Sequence, residues 1–316
     1  MPVLSKAHAL KQAPITSQLR SASPAARSQR LEPPLNRASG KLICVATKAS
    51  PFLKWAGGKS QLLSQYSEFF PTTFNHYFEP FIGGGAVFFH MLGKYGDLNA
   101  TISDCNYDLI NCYEVIRNQP AELIEALKTH KNDSDYFYAV RAQDPLTLTN
   151  VERAARIIFL NKTCFNGLYR VNRKGQFNVP FGRYNNPRIC DEANVKAVSK
   201  ALSQVRIMHS SYDKSANLAK RGDFVYFDPP YQPLSATASF TSYTENSFGL
   251  ADQQHLSALF AKLSAKGCKV MLSNSDNDMV RELYKEFRIE TVKATRAINC
   301  KAEKRGQISE LLIMNY

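Results

Sequence analysis

From Pro51 onward, short apolar runs alternate with stretches in which apolar residues recur every three or four positions. Runs of four to eight apolar residues bounded by turn residues predict buried strands, and the longer period predicts amphipathic helices. Strands are expected over 76–81, 100–104, 205–208, 223–227, 268–273 and 308–314. Helices are expected over 86–95, 106–117, 120–129, 151–161, 192–203, 251–266 and 276–286. This alternation is the pattern of an α/β fold with a largely parallel sheet, and no internal repeat interrupts it. The longest apolar runs, Ile157 to Leu160 and Leu311 to Met314, fall far short of the ~18 residues that cross a bilayer, so no membrane segment is expected.

Two stretches break the alternation. Residues 1–50 hold five prolines and none of the chain's 35 aromatics, so they cannot bury a core and are expected to be disordered. They are rich in Arg and Ser and poor in acids, as organellar transit peptides are, but Pro33-Pro34 would interrupt an amphipathic helix. A flexible tail or an upstream start codon fits the composition better. The second break lies between Asp135 and Asp191, where strand signals fade. From Arg153 to Cys190 there are eight Lys and Arg and no acid, interleaved with Phe159, Phe165, Tyr169, Phe177, Phe181 and Tyr184. Such a stretch suits a nucleic-acid surface, and equally a solvated basic face with aromatics packed beneath it.

The formal net charge is +13, of which residues 1–50 supply +7 through eight basic residues against Glu32. The remaining +6 still suggests a polyanionic partner. A length of 316 residues exceeds the ~100–200 of one domain. The expected division is a tail over 1–50, a cofactor-binding half over 51–107, an inserted target-recognition module over 108–190 and a catalytic half over 191–316. Seven cysteines without a C-x-x-C argue against a disulfide framework and for a reducing cytosol. Six scattered histidines, with no H-E-x-x-H and no zinc spacing, give a metal site nothing to stand on.

Candidate chemistry begins with His76 to Phe81, which runs into Ile82-Gly-Gly-Gly-Ala86 and then an apolar helix. This is the strand, glycine turn and helix of nucleotide-type folds, in which Gly83 and Gly85 let backbone approach a ligand. The next strand delivers Asp104 where a carboxylate can accept from ribose hydroxyls. NAD and S-adenosylmethionine both fit so far. Upstream, Trp55 could wall the methionine part of such a cofactor, with Lys59 facing its carboxylate. Gly57-Gly-Lys-Ser60 is no Walker A loop, since its first glycine would be Leu53.

The deciding element is Asp223 to Phe227 followed by Asp228-Pro-Pro-Tyr231. Two prolines remove N–H donors, leaving carbonyls and the Asp228 carboxylate as acceptors, an arrangement for a substrate that presents an amino group. If Asp228 and the Pro229 carbonyl each accept one N–H of adenine N6, its lone pair can be aimed at a methyl. S-adenosylmethionine carries that methyl on a sulfonium, so no metal is required. Tyr231 would stack on the base, which has to be flipped from duplex DNA.

With these residues in hand, the chain from 51 to 316 resembles the Dam-type, class D12, adenine-N6 DNA methyltransferases. Leu53-Lys-Trp-Ala-Gly-Gly-Lys59, Glu79-Pro-Phe-Ile-Gly-Gly-Gly85, Asp104-Cys-Asn-Tyr-Asp-Leu-Ile110 and Asp228-Pro-Pro-Tyr231 match in the family's order. The resemblance implies a Rossmann-like S-adenosylmethionine-dependent fold with an inserted, mostly helical recognition domain bearing a β-hairpin. It implies cofactor contacts at Trp55, Lys59, Asp104 and Asp228. Phe165-Asn166-Gly-Leu-Tyr-Arg170 and Phe177 to Tyr184 are similar to the recognition hairpin of members that methylate GATC. By that resemblance Arg170 reads a guanine, Leu168 and Pro180 meet thymine methyls, Phe165 wedges into the helix and Lys54 touches the outer guanine. Residues 233–238 and 240–244 match the family's loop after the tetrapeptide. Departures are the tail and Tyr169 inside the hairpin. The expected partner is double-stranded DNA, bound by a monomer in the cytoplasm. Competing readings are an RNA or protein-glutamine amino methyltransferase, which usually has Asn in place of Asp228, a nicotinamide-dependent dehydrogenase, for which no acid/base His is evident, and a non-catalytic DNA-binding protein.

Overall fold

The computed structural model describes residues 48–231, 248–295 and 307–316. The expectations for the N-terminal tail and for the 233–244 loop lie outside these residues. Seven strands form one sheet: β1 (Tyr77–Glu79), β2 (Ala100–Asp104), β3 (Arg206–His209), β4 (Phe224–Phe227), β5 (Lys269–Ser275), β6 (Arg288–Thr295) and β7 (Gln307–Met314). Their spatial order is β3-β2-β1-β4-β5-β7-β6. The first five are parallel, and β7 is antiparallel to both β5 and β6. The helices are α1 (Leu63–Tyr66), α2 (Ala86–Tyr95), α3 (Tyr107–Asn118), α4 (Pro120–Lys128), α5 (Ser134–Ala142), α6 (Asn150–Thr163), α7 (Glu192–Leu202), α8 (Tyr212–Ala216), α9 (Leu250–Ala265) and α10 (Asp278–Leu283).

Strand β4 shows why apolar runs locate the sheet. All four of its residues are buried, Phe224 and Tyr226 in the hydrophobic cluster on one face, Val225 and Phe227 in the cluster on the other. A strand covered on both faces loses the polar alternation and reads as continuous apolar sequence. The switch of strand order between β1 and β4 brings the glycine turn after β1 beside the loop after β4. Crevices at such switch points are where open α/β sheets bind ligands.

The expected elements are all present. Four more of these elements went unread: the short helices α1 and α8, helix α5 and the edge strand β6. Helices α3 to α7 share a single buried cluster with one face of the sheet, with Phe137, Phe159 and Leu160 fully buried among them. Helix α6 begins in a capping box between Thr149 and Glu152, which fixes its start and so aims its last turn at the segment that follows. That segment is a hairpin without a continuous ladder. Isolated bridges join Cys164 to Phe181 and Val171 to Phe177, and a turn closes where Asn172 N donates to Gln176 O at 2.8 Å.

Candidate active site

The Asp228-Pro-Pro-Tyr231 loop leaves β4 at the C-terminal edge of the parallel strands, and three of its four residues are anchored by side chains from other elements. Asp228 Oδ1 lies 2.8 Å from Lys59 Nζ and accepts from Ser273 Oγ at 2.9 Å. Both contacts address the same oxygen, so among the described residues the other oxygen, Oδ2, is kept as an acceptor. The carbonyl of Pro230 accepts from Gln253 Nε2 at 3.5 Å, and Gln253 Oε1 accepts in turn from Asn274 Nδ2 at 2.9 Å. The Tyr231 hydroxyl donates to Glu310 Oε2 at 2.8 Å.

Lys59 is 3% exposed and sits at the centre of this group. Its ammonium also donates to the Gly57 carbonyl at 2.7 Å, lies 4.7 Å from the centroid of the Tyr231 ring and 3.9 Å from Glu310 Oε2. The sequence reading aimed Lys59 at a cofactor carboxylate. In the structure its charge is met by the carboxylate of Asp228. Burial pushes the Glu310 carboxyl above its ordinary pKa, opposed by Lys59 and the Tyr231 hydrogen bond. Burial likewise pushes Glu79, 2% exposed and accepting from Tyr77 Oη at 2.6 Å, well above the carboxylate range. Tyr66, Tyr226 and Tyr231 are raised first by burial, then by neighbouring acids. The cluster therefore holds its protons tightly around one buried cation.

The glycine turn is tight for a reason internal to the protein. Gly83 has φ +48, and a Cβ there would sit 2.8 Å from Trp55 Cδ1; one on Gly84 would sit 3.0 Å from Trp55 Cβ. At Gly85, with φ +75, a Cβ would meet Tyr113 Oη at 2.6 Å. The close approach anticipated for a ligand is thus made at these positions by Trp55 and Tyr113. Asp104 closes the turn: Oδ2 accepts from Gly83 N at 3.2 Å and Oδ1 from Asn106 N at 2.9 Å. Burial raises its pKa, partly offset by those backbone donors. Each carboxylate oxygen accepts more than one hydrogen bond, so Asp104 keeps capacity for hydroxyl donors. Carboxylate acceptors at Asp104 and Asp228 and an indole at Trp55 beside the glycine turn are a donor set that fits a ribosyl sulfonium.

The basic segment divides between the two readings of its composition. Phe159, Tyr169 and Phe177 are buried, at 0%, 8% and 6% exposure, whereas Phe165 is 49% exposed. Tyr169, the departure noted in the hairpin, is turned inward and stacks on Trp55 with centroids 5.2 Å apart and planes at 24°. Exposed on the hairpin are Phe165, Asn166 with φ 56, and Pro180, while Leu168, Arg170 and Tyr184 are half-buried. Phe165 N donates to Pro180 O at 2.8 Å, so these two candidates are held side by side. Arg170 is steadied across the hairpin by Asn178, whose Oδ1 accepts from Nε at 2.6 Å and whose carbonyl accepts from a terminal nitrogen at 3.3 Å. Lys54 Nζ lies 4.4 Å from the Tyr184 ring centroid.

Sequence reasoning missed Ser273, Gln253, Glu310 and Asn178. A signal existed for the strand residues: Ser273-Asn-Ser275 and Glu310 are polar positions inside apolar runs, and buried polar groups in a core strand have a partner to meet.

The profile of the D12 class N6 adenine-specific DNA methyltransferase family matches residues 55–298. The chain is 46% identical over 274 residues to Type II methyltransferase M1.LlaDCHI of Lactococcus lactis subsp. cremoris, covering 84% of this chain and 95% of that protein. It is 48% identical over 288 residues to Type II methyltransferase M.MjaIII of Methanocaldococcus jannaschii, covering 85% and 100%. The DNA adenine methylase of Escherichia coli (strain K12) is 35% identical over 272 residues, covering 84% and 95%.

Proposed function

The chain belongs to the D12 class of N6 adenine-specific DNA methyltransferases, and from that membership we propose that it methylates adenine in GATC within duplex DNA after flipping the base. The observation that carries the chemistry is the double restraint on Asp228 Oδ1 by Lys59 and Ser273. The family implies S-adenosyl-L-methionine as donor, which when bound supplies an electrophilic methyl on a sulfonium.

The protein's part is orientation. Asp228 Oδ2 and the Pro229 carbonyl accept the two N6 hydrogens, which localises the nitrogen lone pair and points it away from the ring π system. Lys59 and Ser273 hold Oδ1 and so fix the carboxylate plane in which Oδ2 is offered. Tyr231 stacks on the flipped base. Trp55, Asp104 and the backbone from Gly83 to Gly85 hold the donor. As the methyl–sulfur bond breaks and the N6–methyl bond forms, the surplus N6 proton would pass to Asp228 Oδ2, which already accepts it as a hydrogen bond.

On the DNA side, Arg170 reads guanine O6 and N7 with a fork that Asn178 keeps in register, Leu168 and Pro180 meet thymine methyls, and Phe165 enters the space vacated by the base. Lys54 with Tyr184 reaches the outer guanine, and Asn166 contributes beside them. This assignment rests on the hairpin sequence and on the exposure of Phe165 and Pro180. The higher identity to the two proteins named type II methyltransferases than to the Escherichia coli DNA adenine methylase favours service beside a restriction endonuclease.

The test is methyl incorporation from radiolabelled S-adenosylmethionine into duplexes that differ only at GATC, followed by digestion with endonucleases of different tolerance to GATC methylation. Incorporation confined to the GATC duplex, abolished by Asp228→Ala with the fold intact, is expected. Equal incorporation into both duplexes overturns the target, and an active Asp228→Ala overturns the chemistry.

A further inference from the structure

We propose that Glu310 is a positioning residue for methyl transfer, holding the hydroxyl of Tyr231 so that its ring lies beside Asp228 in the orientation a flipped base requires. The inference rests on the functional reading of the Asp228 loop given above.

Glu310 is the only acid in β7, followed by Leu311-Leu-Ile-Met314, and it lies beyond the end of the family match at residue 298. It pairs with Ser275 across the β5–β7 register, at the C-terminal edge of the parallel strands, while Leu312 pairs with Ser273. Side chains alternate along a strand, so Glu310 and Leu312 share a face, and Ser273 lies on that face with them. At 9% exposure the carboxylate is costly to keep unless it is partnered. It accepts from the Tyr231 hydroxyl at 2.8 Å and lies 3.9 Å from Lys59 Nζ, with the Tyr66 hydroxyl also beside it.

Tyr231 is thereby fixed at two points. Its hydroxyl is tied to β7, and one face of its ring lies against the Lys59 ammonium at 4.7 Å. The base stacks on the other face. Without Glu310 the ring can swing about Cβ, and a stacking surface that swings does not present N6 to Asp228 in one orientation.

The test is a double-mutant cycle read by single-turnover methylation rate, with affinity for S-adenosylhomocysteine measured beside it. Glu310→Leu and Tyr231→Phe should each slow transfer on the order of tenfold, the scale of a lost hydrogen bond to a charged group. Glu310→Gln, whose amide oxygen can still accept from the hydroxyl, should lie closer to wild type. The Glu310→Leu, Tyr231→Phe double variant should lie within about twofold of the slower single, because both delete one interaction. Affinity for S-adenosylhomocysteine should change less than about threefold, which a general collapse of the site would not permit. Multiplicative losses in the double variant, or a wild-type rate in Glu310→Leu, overturn the proposal. Should Glu310→Leu fail to fold, Tyr231→Phe alone decides, since a wild-type rate there leaves Glu310 nothing to position. An inactive Asp228→Ala beside a normal Glu310→Leu defeats this inference and leaves the functional reading standing; an active Asp228→Ala defeats that reading itself.

Discussion

The side chain of Asn161 holds the backbone of Lys54 from both sides: Oδ1 accepts from Lys54 N at 2.8 Å, and Nδ2 donates to Lys54 O at 2.7 Å. The same Nδ2 donates to Gly167 O at 2.9 Å. Asn161 is 1% exposed near the end of α6, so one amide ties the segment carrying Trp55 to the turn carrying Phe165.

Asn161→Ala leaves one N–H and two carbonyls short of a partner, at about 1–3 kcal/mol for each group that stays buried. We expect a lower melting temperature together with weaker discrimination at the outer guanine proposed as the target of Lys54. Thermal unfolding and the ratio of methylation rates on duplexes altered at that base check this. A destabilised variant with unchanged discrimination would show that the clamp serves the fold alone.

Arg170 and Asn178 act as a pair in the same sense. Arg170→Ala should reduce discrimination at one guanine by about 1–3 kcal/mol. Asn178→Ala should produce a smaller loss at the same position, because the guanidinium survives but is no longer steadied through Nε. Competition between duplexes substituted at single positions measures both. Equal losses on cognate and non-cognate DNA would reassign Arg170 to a phosphate.

The parts of the fold that were legible in the sequence are those buried on two faces. Strand β4 announces itself as four apolar residues, and the helices by their apolar period. Strand β6 was missed because it lies at the sheet edge with β7 as its partner, and Arg288, Glu290 and Lys293 dilute its apolar residues. Helix α5 carries only Phe137 and Val140 to the core, too few to register as a period. At the site, motifs in the sequence name the proposed residues themselves but not the residues that brace them. Ser273 and Glu310 take their meaning from cross-strand register, which places them at Asp228 and Tyr231 although they stand 45 and 79 positions away in sequence. The aromatics of the basic segment show the converse: composition could not say that Tyr169 and Phe177 face inward.

His130 supplies a pH dependence unrelated to catalysis. Its ring stacks on Phe159 at 4.4 Å and 8°, with Nδ1 2.9 Å from Tyr136 Oη, and burial pushes its pKa down to about 4. The unfolded chain, with an ordinary His near 6.5, binds more protons between those values, so stability falls as pH drops through about 6.5 toward about 4. Solvent screening at a half-buried ring reduces the effect to on the order of 1–2 kcal/mol. Denaturant unfolding at about pH 7 and pH 4.5 should show that wild type loses more stability than His130→Gln by this amount. Parallel pH curves for the two proteins would contradict the neutral, buried ring.

The stack of Tyr169 on Trp55 joins the hairpin to the glycine turn, since Trp55 also fills the space above Gly83 and Gly84. Trp55 is the chain's one tryptophan, so intrinsic indole fluorescence reports on this place alone. If the donor rests against Trp55, titration with S-adenosylhomocysteine should change that emission. Replacing Tyr169 by Leu removes the ring that holds the indole in plane while keeping an apolar residue in the core. Donor affinity should then weaken by about 0.5–1.5 kcal/mol, the range of an aromatic pair beyond its area. The rate ratio between GATC and altered duplexes should fall in the same variant, because the hairpin loses its hold on the sheet. Tyr169→Phe, which keeps the stack, should leave both close to wild type. If Tyr169→Leu weakens the donor and spares sequence discrimination, the stack is part of the donor wall only, and the hairpin is held by Asn161 and the Cys164–Phe181 bridge without it.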